Sequence, residues 1–226
     1  MDLLITSSSR VECLQKTMNS FFKYVKYSGD IRIILHEDFV IKKESKKVIE
    51  WAENQPFFDK IIQTQPAQRL GKAIESLLNE CNDELALKWE DDWEFIKELN
   101  LDNVIQIFDD HKDVNQIMFN KKINPGFRQG FDHKEIILNE QSLTLCREWG
   151  MAPAIWRLGW IKSKWKCYKN GDSVNLDLMG GIPRSEEWCS KNLGAYWYDS
   201  PGNGKFVKHL GHGGKNESKL KAAIDN

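Results

Sequence analysis

"LALKWEDDWEF", residues 85–95, runs an apolar segment into three consecutive acids and then returns to Trp93 and Phe95. Like charges side by side repel, and each carboxylate resists leaving water. Glu90, Asp91 and Asp92 therefore do nothing for a core on their own account. In extended backbone alternate side chains point the same way, so Glu90 and Asp92 are predicted to face one side of the strand and Asp91 the other, where it caps or pairs. Two carboxylates converging there are costly without a cation, and a divalent ion with oxygen ligands, Mg²⁺ or Mn²⁺, suits them. The carboxyl ends of strands in open parallel sheets are also where ligands bind. The plainer alternative is a solvated acidic turn that caps the following helix.

Upstream of that strand the chain alternates between two periods. "LLIT" (3–6) is an apolar run, "SSSR" a polar loop, and Val11, Leu14, Met18, Phe21, Phe22 and Val25 then fall at helical spacing. "DIRIILHED" (30–38) is a second strand, "KKESKKVIEWAENQ" a charged helix ended by Pro56, and "DKIIQTQ" (59–65) a third strand. "GKAIESLLNECN" is a further helix, leading into "DELALKW". Repeated strand–helix order predicts a mainly parallel sheet with helices on its faces, a Rossmann-like half over residues 1–95.

Beyond the acids the pattern changes. "LDNVIQIFDDHK" reads as a helix and "DVNQIMFNKK" as a strand, while residues 123–135 read as a loop. "SLTLCREW" and "MAPAIWRLGW" are apolar, a short helix is expected near 184–192, and "YDSPGNGKFVKHLGHGG" reads as a turn, a short strand and a Gly-rich end. The division is thus a Rossmann-like half (1–95), an irregular half (96–215) and a polar tail (216–226) in one domain of 226 residues. "AIWRLGWIKSKWKCYK" (154–169) interleaves Trp156, Trp160, Trp165 and Tyr168 with basic residues. It reads as an edge strand with snorkelling Lys and Arg. The alternatives are an acceptor platform and a single-strand nucleic-acid surface.

Composition is that of a folded soluble chain, 41% hydrophobic and 29% charged. A formal net charge of −1 argues against an overall attraction to nucleic acid or anionic membrane. Five widely spaced Cys, with no Cys-x-x-Cys pair, argue against a disulfide framework or structural zinc. The start "MDLLITSSSR" has no signal-peptide pattern, and no apolar run is long enough for a membrane span. A soluble cytoplasmic protein, monomeric or weakly dimeric, is expected.

The order of these segments resembles the GT-A glycosyltransferases, which use nucleotide-diphosphate sugars. Their Asp-x-Asp-type motif ends a strand where "EDD" stands here, Glu90 replacing the first Asp. "LLITSSSRVECLQKTMNSF" resembles the family's opening strand, loop and helix. "IIQTQPAQRLGKAIESLLNECNDELALKWEDD" resembles its approach to the acidic strand, with Gly71, Ala73 and Ser76 at matching places and the usual Asn residues absent. The resemblance covers residues 2–120. It implies a GT-A fold with a nucleotide-binding half (1–95) and an acceptor half (96–215), a UDP-linked donor, Mn²⁺ or Mg²⁺ and a glycan or glycoprotein acceptor. Short loops are similar to those of compact bacterial or viral members.

Carried over residue by residue, Thr6, Ser7, Ser8 and Arg10 match the loop that holds the nucleoside, and Glu37 and Asp38 match acids that contact base or ribose. Arg69 and Lys72 lie where the family places groups near the nucleotide, and Asp91 accompanies them. Ser7–Ser9 also read as a helix cap, and Glu37 and Asp38 as helix-capping acids. The resemblance makes Asp92 the firmest metal ligand and Glu90 a weaker one. It brings His209 first and His212 second to the metal, where neutral imidazole suits Mn²⁺ beside carboxylates. Gly211, Gly213 and Gly214 would admit a diphosphate, with Lys208 or Lys215 neutralising it. The alternative for this segment is a plain Gly-rich tail.

An inverting enzyme adds a carboxylate base, for which Asp172, Asp177, Glu186 and Glu187 are the candidates. A retaining enzyme needs none, and both outcomes stay open. A nucleotide-sugar-binding module without catalysis is the competing reading, and Glu90 in place of Asp leaves room for it. A nucleic-acid-binding protein using 154–169 is the third, and the near-neutral charge counts against it.

Overall fold

β1 (Asp2–Ser7) is buried along its whole length, because parallel strands flank it on both sides and helices cover both its faces. In the loop–helix unit after it, Leu14, Met18 and Phe21 fall on one face of α1 (Val11–Tyr24) and turn inward. The chain continues through β2 (Val25–Lys26), β3 (Arg32–Asp38), α2 (Lys42–Glu53), β4 (Lys60–Thr64), α3 (Arg69–Glu80) and β5 (Leu85–Glu90). The short β6 (Trp93–Phe95) and β7 (Leu99–Asn100) precede α4 (Leu101–Asp110), whose cap Asn100 accepts from the Asp102 N–H. β8 (Gln116–Met118), β9 (Glu135–Leu138), β10 (Gln141–Leu145), β11 (Ala154–Arg157), α5 (Leu158–Lys164), β12 (Ala195–Trp197) and β13 (Val207–His209) complete the order. This is a computed structural model, and it describes residues 1–119, 135–138, 141–146, 149–150, 152–165, 191–198 and 205–211.

Among the described residues one nine-stranded sheet dominates, in the order β4-β3-β1-β5-β11-β8-β12-β10-β9. β4, β3, β1 and β5 are parallel neighbours. Only β10 and β11 run against the other seven strands, so the sheet is mixed and mainly parallel, as the segment order predicts. α1, α2 and α4 pack on one face over Leu3, Ile5, Leu35 and Leu87. α3 and α5 pack on the other over Leu4, Ile34 and Ala86. Two further strand pairs lie outside this sheet, β6 with β13 and β2 with β7. No helix among the described residues is long and apolar enough to cross a membrane.

The stretch 154–169 differs from the edge strand expected of it. β11 lies in the sheet interior, hydrogen-bonded to β5 on one side and β8 on the other, and the chain then enters α5. Trp156 is fully buried, so it belongs to the core and is hidden from any ligand surface. Trp149 stacks on Trp160 at 4.7 Å between ring centres and also touches Trp156. Two of the basic residues tie the chain to neighbouring carbonyls: Arg157 donates to those of Val114 and Phe108, and Lys162 to that of Cys81. An apolar run with interspersed cations looks alike at an edge and in a strand whose ends meet helix carbonyls. Tyr168, the loop expected over 123–135 apart from Glu135, which begins β9, the polar tail and the helix expected near 184–192, apart from helical 191–192, lie outside the described residues.

Trp156→Ala is expected to cost about 3–5 kcal/mol, the range for deleting a large buried aromatic. Urea denaturation should show a lower midpoint with an unchanged slope.

Candidate functional site

At the carboxyl ends of β1 and β5 the chain brings one arginine against two consecutive carboxylates. β5 stops at Glu90, and Asp91 and Asp92 form the turn into β6. The ladder persists one step beyond the strand, since the Asp91 N–H donates to the Thr6 carbonyl at 2.9 Å. The Asp91 carboxylate is buried and accepts from Ser7 Oγ at 3.1 Å, Ser8 N at 3.0 Å and Arg10 Nε at 3.2 Å, with Arg10 Nη2 on its other oxygen. Thr17 Oγ1 in α1 donates to the Asp91 carbonyl at 2.8 Å. Arg10 Nη1 reaches across to Asp92 Oδ2 at 2.6 Å.

The strand-like alternation expected of the acidic run therefore ends where the strand ends. Asp91 pairs, as expected, but it shares its guanidinium with Asp92 and does not face away from it. Glu90 is the acid directed elsewhere. It forms an ion pair with buried Lys88, two residues before it on the same face of β5, and accepts from Trp93 Nε1 at 3.1 Å. The repulsion within the run is thus relieved by the chain's own Arg10 and Lys88. Lys88 was not among the residues singled out, although its period-two spacing from Glu90 is a visible signal.

Electrostatics follow from this packing. Burial pushes Asp91 up to about 6, aided by Asp92 and opposed by Arg10 and the Ser8 N–H. Burial disfavours the Arg10 charge, but Asp91 and Asp92 outweigh it and raise its pKa above the ordinary arginine value. Burial likewise works against the Glu90 charge, yet Lys88, the Trp93 N–H and Arg10 bring it below the usual carboxylate range.

The remaining nucleotide-side candidates have structural partners. Glu37 is buried behind the β1–α1 loop, where Oε1 accepts from Ser9 N at 2.8 Å, and Ser9 adopts a left-handed φ of 59°. Ser9 Oγ contacts Ser45 Oγ at 2.8 Å and accepts from Ile41 N at 2.9 Å. Burial pushes Glu37 up to about 7, against the pull of Ser45, Ser7 and Ser9. Asp38 accepts from Thr64 Oγ1 at 2.9 Å, Gln68 N at 2.7 Å and Arg69 N at 2.8 Å, so it fixes the entry to α3. Thr6 Oγ1 lies 3.4 Å from the Trp89 carbonyl it donates to, and the Lys72 ammonium pairs with Glu75 along α3.

His209 arrives from the far end of the chain. β13 pairs with β6 so that His209 stands opposite Trp93, and Leu210 N donates to the Asp92 carbonyl at 2.7 Å. Its Nε2 lies 3.2 Å from Asp92 Oδ2. Gly211 passes so close that a Cβ there would stand 2.6 Å from the same oxygen. Asp92 Oδ1 is buried with no hydrogen-bond partner. A carboxylate with one oxygen left in that state and an imidazole against the other fits a hard divalent cation such as Mn²⁺ or Mg²⁺. Among the described residues no three His, Cys, Asp or Glu side chains converge as a full ligand set, and Glu90 is turned to Lys88. Asp172, Asp177, Glu186, Glu187, His212, Gly213, Gly214 and Lys215 lie outside the described residues.

No protein-family profile and no curated protein matches this sequence. Solved structures do. TarS 1–349 of S. aureus in complex with UDP-GlcNAc superposes with a TM-score of 0.56 at 12% identity, over 99% of this chain and 64% of that one. The same protein with UDP gives 0.53 at 13%, over 91% and 59%. The mannosyltransferase PcManGT of Pyrobaculum calidifontis, with GDP-Man and Mn²⁺, gives 0.55 at 11%, over 72% and 45%. The chain spans about three fifths of the length of the TarS 1–349 chains. At these identities the likeness is one of fold, and the fold is that of GT-A glycosyltransferases.

The raised folded-state pKa of Glu37 has a measurable consequence. Its protonated form is favoured by folding, so the stability it contributes is complete below the unfolded value and is lost as pH rises through about 7. Glu37→Gln lacks that loss. Between pH 5 and 8 the stability difference between variant and wild type should shift toward the variant by on the order of 3 kcal/mol. Parallel denaturation curves across that range measure it, and a pH-independent difference refutes it.

Proposed function

We propose that this chain is a metal-dependent glycosyltransferase that moves a sugar from a UDP-linked donor to a glycan or protein acceptor, using Mn²⁺ or Mg²⁺. The observation that carries the reading is Asp92. Its carboxylate lies just past the carboxyl end of β5 in a GT-A fold, with Oδ2 between His209 and Arg10 of the β1–α1 loop and Oδ1 partnerless. Nucleotide-sugar complexes of two proteins with that fold support the donor class, and Mn²⁺ with one of them supports the cation.

In this reading Asp92 and His209 would hold the cation. When bound, the cation acts as a Lewis acid on the departing nucleotide. The rest falls to the chain. Ser7, Ser8 and Thr17 immobilise Asp91, which in turn holds Arg10 at the mouth of the site. Asp38 fixes the turn that carries Arg69 toward the nucleotide side. Gly211 leaves the space beside the Asp92 carboxylate clear of a side chain. In an inverting reaction one of Asp172, Asp177, Glu186 or Glu187 takes the acceptor proton.

A second reading, a nucleotide-sugar-binding module without transfer, draws on one observation. Lys88 occupies Glu90, so only Asp92 and His209 meet as candidate ligands among the described residues. Hydrolysis or transfer assays across UDP- and GDP-sugars separate the two, since a module consumes no donor.

Thermal unfolding with UDP, with and without Mn²⁺, tests the shared premise. At a hundredfold excess over Kd, stabilisation of about 2.7 kcal/mol, or roughly 5–10 °C, is expected. Asp92→Ala should remove the metal-dependent part. A chain that responds to no nucleotide diphosphate sinks the reading.

A further inference from the structure

We infer that Arg10 is a resident counter-ion: it holds Asp92 until a divalent cation and a diphosphate arrive, then moves one arm to the diphosphate while staying forked on Asp91. The inference rests on the nucleotide-sugar reading above. Its basis is the unequal way Arg10 divides its donors. Nε and Nη2 both go to Asp91, a bidentate grip, whereas Nη1 alone goes to Asp92. Asp91 is buried and held by Ser7 and Ser8 as well, so that end is the pivot. The Asp92 end is looser. Oδ2 is shared between Arg10 and His209, and Oδ1 has no partner. The Arg10 side chain is 23% exposed, so its free edge meets solvent.

The exchange is electrostatically even. One guanidinium stands against two carboxylates, which leaves the knot short of positive charge. A divalent cation at Asp92 supplies that charge and repels Nη1. The arriving diphosphate offers Nη1 a new anion, and guanidinium is suited to phosphate oxygens. Asp91 keeps its bidentate guanidinium at either stage, so the most deeply buried carboxylate is never stripped of its counter-ion. Two consequences follow. Arg10 competes with the cation when no nucleotide is present, and nucleotide relieves that competition, so cation and diphosphate bind cooperatively. A lysine reproduces neither the fork nor the third contact.

Electron paramagnetic resonance titration of Mn²⁺ into the full chain at low ionic strength tests this, with and without UDP. Wild type should bind Mn²⁺ weakly alone and more tightly with UDP. Arg10→Gln should bind Mn²⁺ alone about tenfold more tightly than wild type, because a competing cation is gone, and gain less from UDP. If Asp92→Asn abolishes wild-type Mn²⁺ binding but Arg10→Gln leaves the affinity unchanged or weaker, the exchange is overturned and the metal site stands. If wild-type Mn²⁺ affinity ignores both UDP and Asp92→Asn, the metal-dependent reading falls and the exchange with it. Should Arg10→Gln fail to fold, the guanidinium ¹⁵N resonances of Arg10 in wild type, identified by their loss in Arg10→Lys, give the answer. They should move when Mg²⁺ and UDP are added together, and unmoved resonances overturn the exchange.

Discussion

A single guanidinium set between two consecutive buried carboxylates is the constraint on which this end of the molecule depends. Asp91 is surrounded by Thr17, Ser7, Ser8 and Arg10, with water excluded. A carboxylate in that place without its cation would be severely destabilising. The pair therefore dictates where the β1–α1 loop must lie, since Ser8 and Arg10 reach Asp91 only if the chain turns sharply at Ser9. That turn is held from behind by Glu37. The β1–α1 loop is thus anchored from two sides by acids that the core would otherwise reject.

The sheet supplies the geometry that makes this possible. β1 lies between β3 and β5, so its last residues, the end of Glu37's strand and the acidic turn all emerge side by side. On one face Ser7, Glu37 and Asp91 meet α1 and α2; on the other, Lys88 neutralises Glu90. Polar groups gather at this edge and apolar ones fill the layers below, where Leu3, Ile5, Leu35 and Leu87 join the helices. The rigid part of the domain carries the charged part at its rim.

The first half of the fold is legible in the sequence because its strands are covered on both faces. They read as unbroken apolar runs, "LLIT" and "IIL", between helices whose Leu14, Met18 and Phe21 keep a 3.6-residue period. β11 is not legible in the same way. "AIWRLGW" suits an edge, an interior strand or a helix start, and although "DVNQIMFNKK" reads as a strand, nothing in the pattern shows that its β8 pairs with β11 and so places β11 inside the sheet. In the site, the residue types at 10, 91, 92 and 209 are visible, and so is their charge. Their partition is not, because where β5 stops decides which acid joins Arg10, and strand ends are set by tertiary contacts. The Glu90–Lys88 pair shows the same limit: the spacing is plain, but a lysine within an apolar strand gives no sign of being buried.

The pairing of β13 with β6 joins residues 207–209 to 93–95, a closure that spans half the chain. Such a contact forms late, after the loop-closure entropy of everything between has been met. His209 reaches Asp92 only through it. A chain in which only β1, β3, β4 and β5 have paired therefore has its acidic turn but not its imidazole. The meeting of residue 92 with residue 209 is therefore a property of the finished topology and is absent from any form in which β13 has not paired.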